Sequence, residues 1–216
     1  MRASFFTLLA LLLFLAAISA CSSAYYGAME KVGVHKRDIM VDRVEAARDA
    51  QSEAQEQFKS ALEQFGSVVR LKDTDLKRAY DKLNGEYEDS QAAAKNVSTR
   101  IDKVEDVSAA LFNEWQGELS QYQSQELRRD SEIKLHETKR RYQQMISSMR
   151  QAEKSMEPVL RIFRDNVLFL KHNLNAQAIG SLQGEFDGLR QEIAQLVDKM
   201  NRAIDESNRF IAGIKK

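Results

Sequence analysis

The chain has 216 residues, with 32 Lys+Arg against 32 Asp+Glu, one Pro and nine Gly. Zero formal charge argues against a nucleic-acid binder, which carries a basic excess on one face. Typical usage is roughly 5% Pro and 7% Gly, so a chain this poor in breakers excludes the many tight turns of a sandwich, barrel or propeller. With 30% charged and 8% aromatic residues, the composition suits long solvated helices better than a thick globular core.

Residues 1–20 read as a secretory signal. Arg2 and the amino terminus form a short positive region, Leu8 to Ile18 an unbroken apolar run, and the small Ser19 and Ala20 precede Cys21. Cys21 is the only cysteine, which rules out an intramolecular disulfide and a Cys-based zinc site. The stretch Leu15-Ala16-Ala17-Ile18-Ser19-Ala20-Cys21 resembles the lipobox of bacterial lipoproteins. That resemblance implies diacylglycerol attachment at Cys21, cleavage before it and acylation of the new amino terminus. Ser22 in place of Asp implies export to the outer membrane. The competing reading is an uncleaved anchor over residues 3–20, slightly shorter than the roughly 20 apolar residues a span needs. Several acyl chains, at about 0.8 kcal/mol per buried methylene, hold a protein more firmly than one. Residues 21–37 are thus expected to be the lipidated cysteine and a membrane-proximal tether, and residues 38–216 an elongated helical bundle.

Four heptad seams, apolar at alternating spacings of three and four, run along the mature part. The first is Met40, Val44, Ala47, Gln51, Ala54, Phe58, Ala61, Phe65 and Val68, broken only by Gln51. Lys72 to Asp75 offer a turn and a helix N-cap. The second seam runs from Leu76 through Tyr80, Leu83, Tyr87, Ser90, Ala94, Val97, Ile101, Val104, Ser108 and Leu111 to Trp115. A turn is expected somewhere within 116–131, which is rich in Gln, Ser and Glu. The third seam is Leu135, Thr138, Tyr142, Met145, Met149, Ala152, Met156, Val159 and Phe163. Pro158 interrupts it, either as a kink or as the first residue of a new helix capped by Ser155. Asn173 to Asn175 read as a connection. The fourth seam runs from Leu182 through Phe186, Leu189, Ile193, Leu196, Met200, Ala203, Ser207 and Phe210 to Ile214. Short connections between long helices make antiparallel neighbours. The expected fold is all-α, an elongated up-down-up-down bundle of about four coiled-coil-like helices.

Motifs for catalysis fail at essential positions. His136-Glu137-Thr138-Lys139-Arg140 starts like a zinc-binding helix but has Arg140, a cation, where the second histidine must sit. His35 and His172 are expected near opposite ends of the rod. Ser131-Glu132-Ile133-Lys134 matches a Ser-x-x-Lys signature without its companion elements. The sequence has neither a Gly-x-Ser-x-Gly elbow nor a Gly-x-x-x-x-Gly-Lys phosphate loop. The chain reads as a non-enzyme, with no catalytic residue, cofactor, metal or small-molecule substrate.

Three surface features stand out. Tyr25, Tyr26, Met29 and Val32 fit either one side of a short helix at the lipid headgroups, where Tyr is favoured, or a cap on the base of the bundle. His35-Lys36-Arg37-Asp38 read as a solvated helix start. Gly180, Gly184 and Gly188, four apart, lie roughly opposite Leu182, Phe186 and Leu189. Three interior glycines cost on the order of 1 kcal/mol each relative to Ala, so they mark either fraying near the helix start or a docking face for another helix.

Tyr25-Tyr26, His35-Lys36-Arg37-Asp38, Phe112-Asn113-Glu114-Trp115 and the run Val167 to Leu182 together resemble an uncharacterised family of Gram-negative lipoproteins, known as a domain of unknown function. The resemblance implies an exported, helical, coiled-coil-like protein and carries no activity or catalytic residue with it. The expectation is an outer-membrane lipoprotein facing the periplasm, held by its lipid at Cys21 and acting as a helical scaffold or adaptor. Its expected partners are the membrane and an envelope protein or a second copy, without nucleic acid. Alternatives are a membrane-active helical protein using Val167–Leu170 and an accessory subunit of an envelope enzyme or transporter.

Overall fold

The computed structural model describes residues 25–70, 76–173 and 176–215. Four long helices dominate them: α1 (Lys36–Val69), α2 (Leu76–Glu118), α3 (Gln125–His172) and α4 (Ala176–Ile214). At 1.5 Å per residue, the 43 residues of α2 and 48 of α3 extend about 65 and 72 Å. Pairing is antiparallel at every edge. Lys36 meets Glu114 and Gln57 meets Glu86 between α1 and α2. Trp115 meets Ser131, and Asp102 meets Arg150, between α2 and α3. Tyr142 faces Phe210 between α3 and α4, and α4 closes back on α1 through Asn201 with Gln55 and Asn208 with Arg48. The result is a square up-down-up-down bundle, as the seams predict. Its basal end holds residues 32–38, the α2–α3 connection and Ile214; its distal end holds Val69, Leu76 and His172.

The seams point inward because every third or fourth residue of a helix shares a face. All nine positions of the first seam and all nine of the third are buried. Burial of each large apolar side chain contributes about 1.5–3 kcal/mol, which outweighs the polar break at Gln51. The amide of Gln51 is fully buried and has no hydrogen-bond partner among the described residues. Near the distal end Phe65 stacks on Phe186 with ring centroids 6.0 Å apart and meets Phe163 edge-on. Gly66 makes this approach feasible, since a Cβ there would stand 3.0 Å from the Phe186 ring.

The turn expected within 116–131 is a single 3-10 turn, Leu119–Gln121, followed by an extended Tyr122. Ser124 then caps α3, its side chain accepting from the Leu127 N–H. Pro158 starts no new helix, because α3 is continuous through it. Ser155 donates to the Gln151 carbonyl one turn back instead of capping. The expected cap at Lys72–Asp75 lies outside the described residues.

Candidate functional site

The basal end carries the most elaborate polar chemistry, and the N-terminal segment builds it. Residues 25–31 are helical and stop where Gly33 takes φ +85°, a left-handed conformation that glycine adopts without a Cβ clash. Val32 and Val34 donate to the Met29 carbonyl and Gly33 to that of Glu30, which closes the turn into α1. The segment therefore doubles back along the start of α1. Tyr26 is buried in the core, and its hydroxyl donates to Asp106 Oδ2 on α2 at 2.7 Å. Burial, reinforced by the Asp106 carboxylate, holds this phenol well above the usual tyrosine range. Met29 packs partly buried on the same core. Of the four candidate headgroup residues, Tyr26 and Met29 thus cap the bundle, while Tyr25 and Val32 stay exposed.

Lys36 corrects the reading of its tetrapeptide as a solvated start. It is buried and ion-paired at 2.7 Å to both Glu30 and Glu114. Burial disfavours its charge, but the Glu114 and Glu30 carboxylates outweigh that and raise its pKa. Glu30 is held below the usual carboxylate range by its bond to the Lys36 ammonium. One buried cation thus joins the N-terminal segment, α1 and α2. No spacing signal announces it, because Lys36 and Glu114 meet only through the fold.

Higher on the α2–α3 seam, Arg150 gathers three acids. Its guanidinium bonds Glu105 bidentately, Asp102 Oδ1 at 2.6 Å and Glu153 Oε2 at 2.8 Å. The Glu105 bonds first, then Glu153 and Asp102, raise its pKa against the opposing effect of burial. Because Asp102, Glu105 and Arg150 sit beside seam residues, each reads as ordinary helix surface in the sequence. Below this cluster Phe112, Tyr142 and Phe210 pack edge-on in series.

The remaining sequence candidates are dispersed. Cys21 lies outside the described residues. Gly180, Gly184 and Gly188 are exposed on the outer side of α4, and a Cβ added to any of them would meet nothing within 4 Å. His35 sits at the basal end, His136 exposed on α3 and His172 at the distal end of α3. Among the described residues no group of His, Cys, Asp and Glu is arranged to hold a metal. An open cleft of about 520 Å3 lies at the base between Arg37, Asp38 and Lys215. A groove of about 390 Å3 near the distal end is lined by Phe169 and Asn166 of α3 and by Leu182 and Glu185 of α4. Leu168 and Phe169, from the most apolar tetrapeptide of the mature part, remain exposed beside it, while Val167 and Leu170 are buried. No described helix is long and apolar enough to cross a membrane.

Neither a curated protein nor a solved structure matches the chain. A family model does match, over residues 25–214, and so takes in the Tyr26 lock, the Lys36 bridge and all four long helices. The chain belongs to that family, described as protein of unknown function (DUF2959).

Proposed function

We propose that the protein is a non-enzymatic lipoprotein of the outer membrane, acylated at Cys21, that acts as a rigid helical scaffold or adaptor in the periplasm. One observation carries the reading. The segment that follows the lipobox-like stretch is clamped to the bundle by Tyr26–Asp106 and by Lys36 with Glu30 and Glu114. An anchor at Cys21 would therefore hold a rod through a fixed joint only four residues upstream of Tyr25, and a scaffold needs such a joint to set where its surfaces stand. Changing Cys21 to Ser should leave an unacylated precursor that no longer fractionates with outer membranes. A variant that matures and localises unchanged sinks the lipoprotein reading. Crosslinking in intact cells followed by pull-down would identify the partner.

The exposed pair Leu168 and Phe169 favours a second reading, a membrane-active protein whose distal end inserts into lipid. Carboxyfluorescein release from vesicles separates the two, since a scaffold should leave vesicles intact.

A further inference from the structure

Seven large apolar side chains are exposed among the described residues, and they are unevenly distributed. Leu168 and Phe169 stand at the distal end, and the other five at or near the base. Four of those five come from two parts of the chain: Tyr25 at 44% exposure and Val32 at 72% from the N-terminal segment, and Tyr122 at 42% and Leu127 at 58% from the α2–α3 connection. Tyr25 precedes the docked Tyr26, Val32 follows the end of the same helical segment, and Tyr122 and Leu127 flank the Ser124 cap of α3. Backbone needs explain Gly33 and Ser124, and the Tyr122 hydroxyl donates to Ser131 Oγ at 3.4 Å, but none of these explains the outward Val32 and Leu127.

We infer that these four side chains form an apolar rim, running from the base onto the lower α1–α2 flank, that sits in the headgroup region of the bilayer, so that the bundle contacts lipid with its protein surface as well as its anchor. The inference rests on the lipid-anchored reading of Cys21. The length of chain preceding Tyr25 selects lipid as the occupant. Cys21 is four residues from Tyr25, a reach of at most about 14 Å when fully extended. The apolar run Leu8 to Ile18 lies just upstream, so bilayer attachment by either acyl chains or that run holds the lower α1–α2 flank, from which the tether leaves, beside the membrane. The rim's chemistry also fits, because tyrosine places an apolar ring and a polar hydroxyl at the interface while Val and Leu enter the acyl boundary. Docking of Tyr26 tilts the arrangement. Asp106 lies twelve residues, about 18 Å, above the lower end of α2. The tether thus leaves from the α1–α2 flank rather than from the tip, and the bundle leans toward that flank.

The test uses the full chain, purified from membranes and reconstituted in vesicles of phosphatidylethanolamine and phosphatidylglycerol bearing a headgroup nitroxide. Single cysteines at Val32, Tyr122 or Leu127, and at Leu168 as the distal control, each carry a fluorophore, and intact mass reports acylation at Cys21. The expected result is quenching several-fold stronger at the three basal positions than at Leu168, reduced toward the control level at Tyr122 by Val32→Asp with Leu127→Asp. Both aspartates sit on exposed positions, so circular dichroism should stay helical. Acylated protein with unquenched basal labels overturns the rim and leaves the tether standing. Equal quenching at Leu168 overturns it too, since the rod would then lie flat. Energy transfer between copies without lipid quenching assigns the rim to a second copy and likewise overturns it. A mass lacking acyl chains overturns the lipoprotein reading alone, because quenching still reads the rim directly.

Discussion

The basal and distal halves of the bundle share one heptad pattern and pack differently. In the basal half, Tyr26 and Lys36 tie the N-terminal segment to α1 and α2, Trp115 donates to Ser131, and Arg150 spans α2 and α3. In the distal half the α2 seam turns small or polar at Ser90 and Ala94, and Tyr80, Tyr87 and Ala94 are only half-buried. The Ser90 hydroxyl is buried without a partner among the described residues, and a groove of about 500 Å3 opens between α2 and α3 beside Tyr87, Ala94 and Met156. Short side chains on one helix cannot fill the space opposite long ones on the next unless the backbones close in. A seam therefore sets which face turns inward, and the volume of its residues sets how tightly that face closes.

The largest test of this contrast is Ile101→Asp. Ile101 is fully buried next to Asp102, which bonds Arg150, so the new carboxylate meets a closed core. A loss of about 4 kcal/mol or more is expected in urea unfolding. A loss below about 1 kcal/mol, the range typical of surface positions, would show that the basal half is as open as the distal one.

Changing Gly180, Gly184 and Gly188 together to Ala probes the distal half in the opposite direction. Each exposed helical Gly→Ala should stabilise by roughly 0.4–1 kcal/mol through the unfolded state, and no neighbouring atom opposes the added methyls. The thermal midpoint should rise. Analytical ultracentrifugation and partner capture then decide the face's role: association lost while stability rises marks a docking face, and unchanged association marks idle surface.

Gln51 lies between the halves on the first seam. Replacing its unpartnered buried amide by a side chain of similar shape, Gln51→Met, should stabilise by about 1–2 kcal/mol in the same urea assay. Destabilisation would mean that the amide is satisfied in solution.

The smallest expected effect belongs to the lock. Tyr26→Phe removes one hydrogen bond to an exposed carboxylate and should cost about 1 kcal/mol. Because the folded phenol's pKa is raised, its contribution is fully present below the unfolded value of about 10 and fades as pH rises past it. Hydrogen exchange at residues 25–31 should therefore accelerate in alkali in the native protein before the distal half loosens. In Tyr26→Phe, the exchange should already be about five-fold faster at neutral pH, the factor that ~1 kcal/mol sets. Some alkaline sensitivity should persist there, since burial also raises the pKa of Tyr142.

Helix type, inward faces and a turn somewhere within 116–131 were legible from residues alone, because the heptad period and its interruption are local features of the chain. The place of that turn and the Ser124 cap came from the structure. Met40 to Val68 and Leu135 to Phe163 lie inside as their spacing requires. At Pro158 only the new-helix reading fails, since a long packed helix continues through one missing N–H. The tertiary structure alone decided that α4 closes onto α1, that Tyr26 reaches Asp106, and that Lys36 is buried between Glu30 and Glu114. These contacts join residues about 80 or more positions apart, except for Glu30 with Lys36. Charges at helix edges look alike in sequence whether they face water or a neighbouring helix. Periodicity specifies a face, but lateral partners are chosen by how several faces pack together, and that information is spread over all four helices.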